Sequence, residues 1–242
     1  MSVLFNSIKM YLSRKGKDDL KKAKSYFNKA EKNNEFTYED WDVIEELIIN
    51  EYWQVRWTIL RVLKRKLNPR LIVKYAENLP KTSFASMEKA QFLKIIRSIR
   101  KPPQQAIELA KSAFISDYWE VRREAVQFLS HFGFEDLWEP FLNSFWKKDR
   151  LKERHFEVKM QLPGALTKIK PIQQILPLFS DLLEDSNWKV REKTLLAMYD
   201  LFLKEPFPLK NIIRDMDLSC KDLIAKSPLS MTYIEIMKKL GE

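Results

Sequence analysis

The sequence predicts an all-α chain folded as an α-α superhelix, a solenoid of about six helical pairs. Three observations predict it. A short phrase recurs, as Tyr-Trp-Gln-Val-Arg at 52–56, Tyr-Trp-Glu-Val-Arg at 118–122 and Asn-Trp-Lys-Val-Arg at 187–191, with a degenerate copy, Phe-Glu-Val-Lys, at 156–159. Each Val is followed by apolar side chains at the spacing of one helix face. The chain has only 4 Gly and no apolar run of period two, which argues against strands.

The elements follow in order. Residues 1–36 precede the first clear copy and read as N-terminal capping helices, with Val3, Leu4, Ile8, Tyr11 and Leu12 on one apolar face and Leu20, Ala23, Phe27 and Ala30 on another. A basic amphipathic arm for a membrane surface or nucleic acid is the other reading of that segment. Residues 37–242 then form one continuous repeat domain. Val55 is followed by Ile59, Leu60, Val62 and Leu63, and Val121 by Ala125, Val126, Phe128 and Leu129. Val158 is followed by Leu162, Pro163, Ala165 and Leu166, and Val190 by Thr194, Leu195, Ala197 and Met198. Weaker starts lie at Met87, with Phe92 and Ile95, and at Leu229, with Tyr233, Ile234, Ile236 and Met237.

Every interval has room for a partner helix. The partners are read at Tyr38 to Ile48, Leu71 to Leu79, Ala106 to Ile115, Leu137 to Trp146, Ile172 to Leu183 and Ile212 to Leu223. Pro69, Pro80, Pro102, Pro103, Pro171, Pro206 and Pro208 fall at the expected breaks, whereas Pro140, Pro163 and Pro177 fall inside apparent helices and predict a kink or break at each.

The segment Ile175 to Phe202, ILPLFSDLLEDSNWKVREKTLLAMYDLF, resembles the HEAT repeat superfamily: an apolar first helix, an acidic turn, then Val-Arg opening the second helix. Asp117 with Arg122, and Asp185 with Arg191, stand where that family places a turn acid and a helix Arg. The resemblance implies that the Arg bonds the acid and the carbonyls of the turn, fixing the angle between the helices. It also implies a scaffold that binds a macromolecule, most often a protein, along its concave wall. Three departures stand out: Asn50 or Glu51 takes the acid's place in the first copy, Lys159 replaces Arg in the fourth, and the second copy lacks Val-Arg.

Charge is the feature that points outward. The chain of 242 residues carries a formal net charge of +10. Residues 51–101 alone hold thirteen Lys or Arg against three acids, and a smaller basic block runs from Lys147 to Arg154. Trp57, Arg61 and Arg65 are each four residues apart and share a helix face away from the apolar stripe. Aligned second helices would extend that strip through Lys89, Arg97 and Arg123. These six are the expected binding residues, suited to an acidic protein surface or to nucleic acid through segment 51–101. Trp53, Trp119 and Trp188 recur two places before the Val and are expected to pack between repeats.

Catalytic, metal and cofactor motifs do not stand out. His131, His155 and Cys220 are too few for a zinc site. One enzyme class remains as an alternative: alkylpurine DNA glycosylases of HEAT-like fold, for which the sole Trp-Asp neighbours are Trp41 and Asp42. The single Cys favours a reducing compartment, the N-terminus makes a poor signal peptide, and no stretch approaches membrane-spanning length, so a cytoplasmic location is expected.

Overall fold

The computed structural model describes residues 10, 13, 17–33, 40–48, 53–65, 68–78, 86–147, 150–204, 236 and 238–239, which are mostly helical. Several expectations lie outside the described residues: the faces from Val3 to Leu12, Tyr38, Pro80, Pro206, Pro208, Cys220, the helix at 212–223 and the start at Leu229. The side chains of Leu20, Ala23, Phe27, Ala30, Asp42, Val55 and Arg65 also lie outside them. The chain divides into two compact units, residues 1–109 and 110–242.

The first unit contains α1 (Lys17–Asn33), α2 (Asp40–Leu47), α3 (Trp53–Arg65), α4 (Pro69–Asn78) and α5 (Ser86–Ile96). α3 buries Ile59, Leu60, Val62 and Leu63, the stripe its periodicity predicts, and α1, α2 and α5 all pack against it. Pro69 opens α4, where its fixed φ suits the first turn and its missing N–H is no loss. Asn68 caps the same end, its Oδ1 accepting the Leu71 N–H at 3.3 Å. Tyr75 of α4 stacks on Phe92 of α5 with ring centres 5.3 Å apart.

α6 (Gln104–Ala113) carries the boundary between the units. The second unit continues with α7 (Trp119–Phe132), a 3-10 turn (Glu135–Leu137), α8 (Trp138–Phe145) and a hairpin of β1 (Trp146–Lys147) and β2 (Arg150–Leu151). Then come α9 (Phe156–Lys159), α10 (Leu162–Leu166), a second 3-10 turn (Ile172–Gln174), α11 (Leu176–Leu183) and α12 (Trp188–Lys204). Val121, Val158 and Val190 are fully buried, and the apolar residues after each are buried too, except Ala197, which is half-buried. The segments that follow these valines are neighbours in series: α9, which bears Val158, and the succeeding α10 pack on α7, and α10 packs on α12.

Two glycines set local geometry. Gly133 ends α7 in the left-handed region at φ 68°, and its N–H donates to the Leu129 carbonyl at 2.8 Å. Gly164 lets α10 approach α7, since a Cβ there would stand 2.8 Å from Ser130 Oγ.

The prolines break helices rather than kink them. Pro163 and Pro177 each sit in the first turn of a helix, α10 and α11, where the ring is tolerated; α9 has already ended at Lys159. Pro140 likewise falls in the opening turn of α8. The expectation of no strands is corrected by the two-residue pairing of β1 with β2, in register Trp146 to Leu151 and Lys147 to Arg150. Its alternation lies in a polar stretch, so an apolar criterion passes over it. No helix among the described residues is long and apolar enough to cross a membrane.

Candidate functional site

The basic residue after each repeat valine is the starting point. Arg122 of α7 donates from Nη1 to the carbonyls of Ser116 (2.7 Å) and Asp117 (3.1 Å), so it does hold the turn. Its acid is not Asp117, whose side chain is exposed, but Glu153, at the entry to the next repeat. The pair is bidentate, Nε to Oε2 at 2.7 Å and Nη2 to Oε1 at 2.9 Å. Glu153 Oε1 also accepts the N–H groups of Arg154 (3.0 Å) and His155 (2.8 Å). Burial pushes the Glu153 carboxyl up, but the Arg122 bond, the His155 N–H, the Arg122 charge and the Arg154 N–H outweigh it and hold it below its ordinary value.

The next interface repeats the device. Lys159 of α9, in the Arg position, donates to Asp185 Oδ2 at 2.6 Å, while Arg191 of α12 takes the carbonyls of Asp185 (2.6 Å) and Ser186 (3.0 Å). Glu153 and Asp185 each stand five residues before the valine of their own copy, Val158 and Val190. Each therefore receives the cation of the copy before it. The turn Asp185 is bound from outside by Lys159 and its backbone from within by Arg191, which locks two repeats at one corner.

The copy lacking Val-Arg is explained in the same terms. Glu88 of α5 occupies the Arg position after Met87 and receives Arg56 of α3, Nε to Oε1 at 2.8 Å and Nη2 to Oε2 at 3.0 Å. Both are buried, Arg56 at 8% and Glu88 at 1% exposure, and Tyr75 donates its hydroxyl to Glu88 Oε1 at 3.2 Å. Burial and the facing carboxylate hold the Tyr75 hydroxyl far above the ordinary phenol range, so it stays a donor. A second Arg there would leave two buried cations face to face.

The expected binding strip is distributed as follows. Trp57 and Arg61 of α3, and Lys89 and Arg97 of α5, are half-buried and ride on helices that pack together. Arg61 is not simply solvated, because α1 lies on α3 and Arg61 Nη1 donates to Asn28 Oδ1 at 3.3 Å. In the second unit Arg123 lies over the Trp119 ring at 5.1 Å and pairs with Glu124 at 2.8 Å. Several cations of segment 51–101 are already paired: Arg56 in the interior as above, and on α4 the half-buried Lys74 and the exposed Arg70, which hold Glu45 of α2 at 2.7 and 3.2 Å. Lys64, Lys94, Arg100 and Lys101 are exposed.

The three tryptophans differ. Trp53 is half exposed. Trp119 stacks parallel on His155 at 4.0 Å and carries Arg123 over its ring, and so does pack between repeats. Trp188 is half-buried with Lys189 over its ring at 5.7 Å.

A feature that the strip does not include is an open hollow of about 710 Å³ in the second unit, between the α6–α7 turn, the end of α8 and the segment 152–155. Its floor includes the buried Phe114 and Phe145, and its lip carries Ile115 at 75% exposure. Lys152 and Arg154 stand at its edge. The sequence signal for this edge is the alternation Arg150-Leu151-Lys152-Glu153-Arg154.

α11, the Asp185 corner and nearly all of α12 match one family model. Residues 175–203 match the HEAT repeat. Arg191, its turn carbonyls and the Asp185 carboxylate all lie inside these matched residues. No curated protein matches the chain.

Proposed function

We propose that the chain is a non-catalytic docking module, a HEAT-like solenoid of about six helical pairs that holds a protein partner against a basic surface. The observation that carries this reading is the division of charge. Cations at the repeat position after the valine are tied to buried acids of the following copy, Arg56 to Glu88, Arg122 to Glu153 and Lys159 to Asp185. Those groups build the frame. The exposed cations, Lys64, Lys94, Arg100 and Lys101 among them, are left for the surface. Helical repeats of this kind present extended faces made of many shallow contacts rather than one deep pocket. We place α1 as the cap of the first repeat, and Trp57, Arg61, Arg65, Lys89 and Arg97 on the docking face of the first unit, with Arg123 as the counterpart in the second. A cytoplasmic setting fits this role.

Charge reversal tests the reading. Arg61→Glu with Arg65→Glu, or Lys89→Glu with Arg97→Glu, should abolish most binding of an acidic protein ligand while the far-ultraviolet circular dichroism stays unchanged. Reversal at Lys238 and Lys239 should matter little. Equal weakening by all three pairs would reduce the effect to diffuse charge and end the docking-face proposal.

A further inference from the structure

From Arg150 to Phe156 the side chains alternate between solvent and interior. Arg150, Lys152, Arg154 and Phe156 are exposed, whereas Leu151, Glu153 and His155 turn inward. Period-two exposure is the mark of an extended chain, and it sets like-facing residues about 7 Å apart. The segment is pinned along its length. Leu151 N–H donates to Asp181 Oδ2 at 2.8 Å, Lys152 N–H to the Phe145 carbonyl at 2.8 Å, and the Arg154 and His155 N–H groups to Glu153. These four backbone donors are therefore taken, and what the side chains offer is a row of three cations.

Among the described residues the row carries more cations than acids pair with. Arg150 and Arg154 have no side-chain partner among the described residues, and Lys152 bonds only the Asn143 carbonyl, at 2.8 Å. Lys147 faces Arg150 directly across the hairpin, a like-charge cross-strand pair that is unfavourable until an anion lies beside it. Of the two carboxylates in the neighbouring hollow, Glu153 is engaged by Arg122 and Asp117 is exposed; Asp181, which accepts the Leu151 N–H, is a further acid beside the row. The row also borders an apolar surface, the Ile115 lip over Phe114 and Phe145.

We infer that this hollow and the Arg150, Lys152, Arg154 row form a docking site for an extended acidic segment of a partner protein, its alternate carboxylates on the three cations and one aliphatic side chain in the hollow beside Ile115. Carboxylates on every second residue of an extended peptide repeat at the same spacing as the row. A single-stranded nucleic acid could match the charge, but its bases need an open aromatic face. Trp119 stacks on His155 and carries Arg123 over its ring, Phe156 of the row itself already stacks on His155, and the large apolar side chain most exposed at the hollow is the aliphatic Ile115, which suits a peptide side chain.

The inference rests on the docking reading but names a surface of the second unit. The test measures fluorescence anisotropy of the full chain with a labelled peptide that alternates Glu with Ser and ends in Leu, and with labelled single-stranded DNA. The wild-type chain should bind the peptide more tightly than the DNA at physiological salt. Arg150→Glu with Arg154→Glu should weaken the peptide by about tenfold or more, and Ile115→Ser should weaken the Leu-ending peptide but not one ending in Ser. Preferential binding of the DNA overturns the inference. So does peptide binding that survives the Arg150 and Arg154 reversals yet is lost on reversal at Arg61 and Arg65, a result that leaves the docking reading standing. Absence of peptide binding to every form overturns both.

Discussion

Removing Arg122 should do more damage than its position near the surface suggests. Arg122→Ala deletes two charged contacts to Glu153 and two to the carbonyls of Ser116 and Asp117. It leaves Glu153, whose side chain is 3% exposed, with only the N–H groups of Arg154 and His155. Breaking a buried pair from one side costs about 3–5 kcal/mol, since the orphaned charge keeps its desolvation penalty. The Arg122 side chain is 19% exposed, so water reaches the gap and the lower end, about 3 kcal/mol, is expected. Arg122→Met combined with Glu153→Leu removes both charges and should recover most of that loss. Urea unfolding of the wild type, Arg122→Met, Glu153→Leu and the combined variant, read as a double-mutant cycle, gives the coupling directly. Arg154→Ala, on the exposed row, should stay within about 0.5 kcal/mol of the wild type. A cost below about 1 kcal/mol for Arg122→Ala, or a coupling near zero, would refute the idea that these cations join one repeat to the next.

Two further outcomes follow from the same geometry. The Glu153 carboxyl is held below its unfolded value of 4.5, so its contribution is present above that pH and is lost as pH falls through the lower folded value. The stability gap between the wild type and Glu153→Gln should therefore close on acidification below about pH 4.5, and a gap independent of pH would contradict the assignment. Gly133→Ala should cost about 1 kcal/mol in a thermal melt, because Lys168 Cβ stands 3.6 Å from the new methyl and leaves room, while φ 68° does not suit an L residue. A neutral result would mean that α7 does not end in the left-handed conformation.

Periodicity was enough to locate the interior. The apolar stripes after Val121 and Val158, and those at Ile59 to Leu63, are buried as their spacing requires, because a helix has one face and its neighbours must cover it. The role of the basic residue was half legible. That Arg122 and Arg191 take turn carbonyls follows from a local motif, since donor and acceptor are five or six residues apart. The inter-repeat counterpart of Arg122 was not: Arg122 and Glu153 are thirty-one residues apart, and only the folded chain makes them neighbours. The same limit applies to Glu88, one of three acids in the basic segment 51–101, whose burial depends on Arg56 thirty-two residues away. On the surface, Arg61 shows how a helical face computed from one helix omits a neighbour, here Asn28 of α1. The row at Arg150 to Arg154 was visible as charge but not as an edge, because its extended shape comes from bonds to Asp181 and Phe145 rather than from strand propensity.

The docking account is tested most directly by a salt titration of the intact chain against an acidic peptide, random single-stranded DNA and random RNA, each followed by anisotropy. Phosphate-dominated binding involving about six to ten contacts loses about 10³ to 10⁵ in affinity between roughly 50 and 200 mM salt. The account predicts that the peptide, held by apolar as well as charged contacts, retains measurable affinity at the higher salt while both nucleic acids fall away. Nucleic acid that stays bound at high salt while the peptide is lost would contradict it.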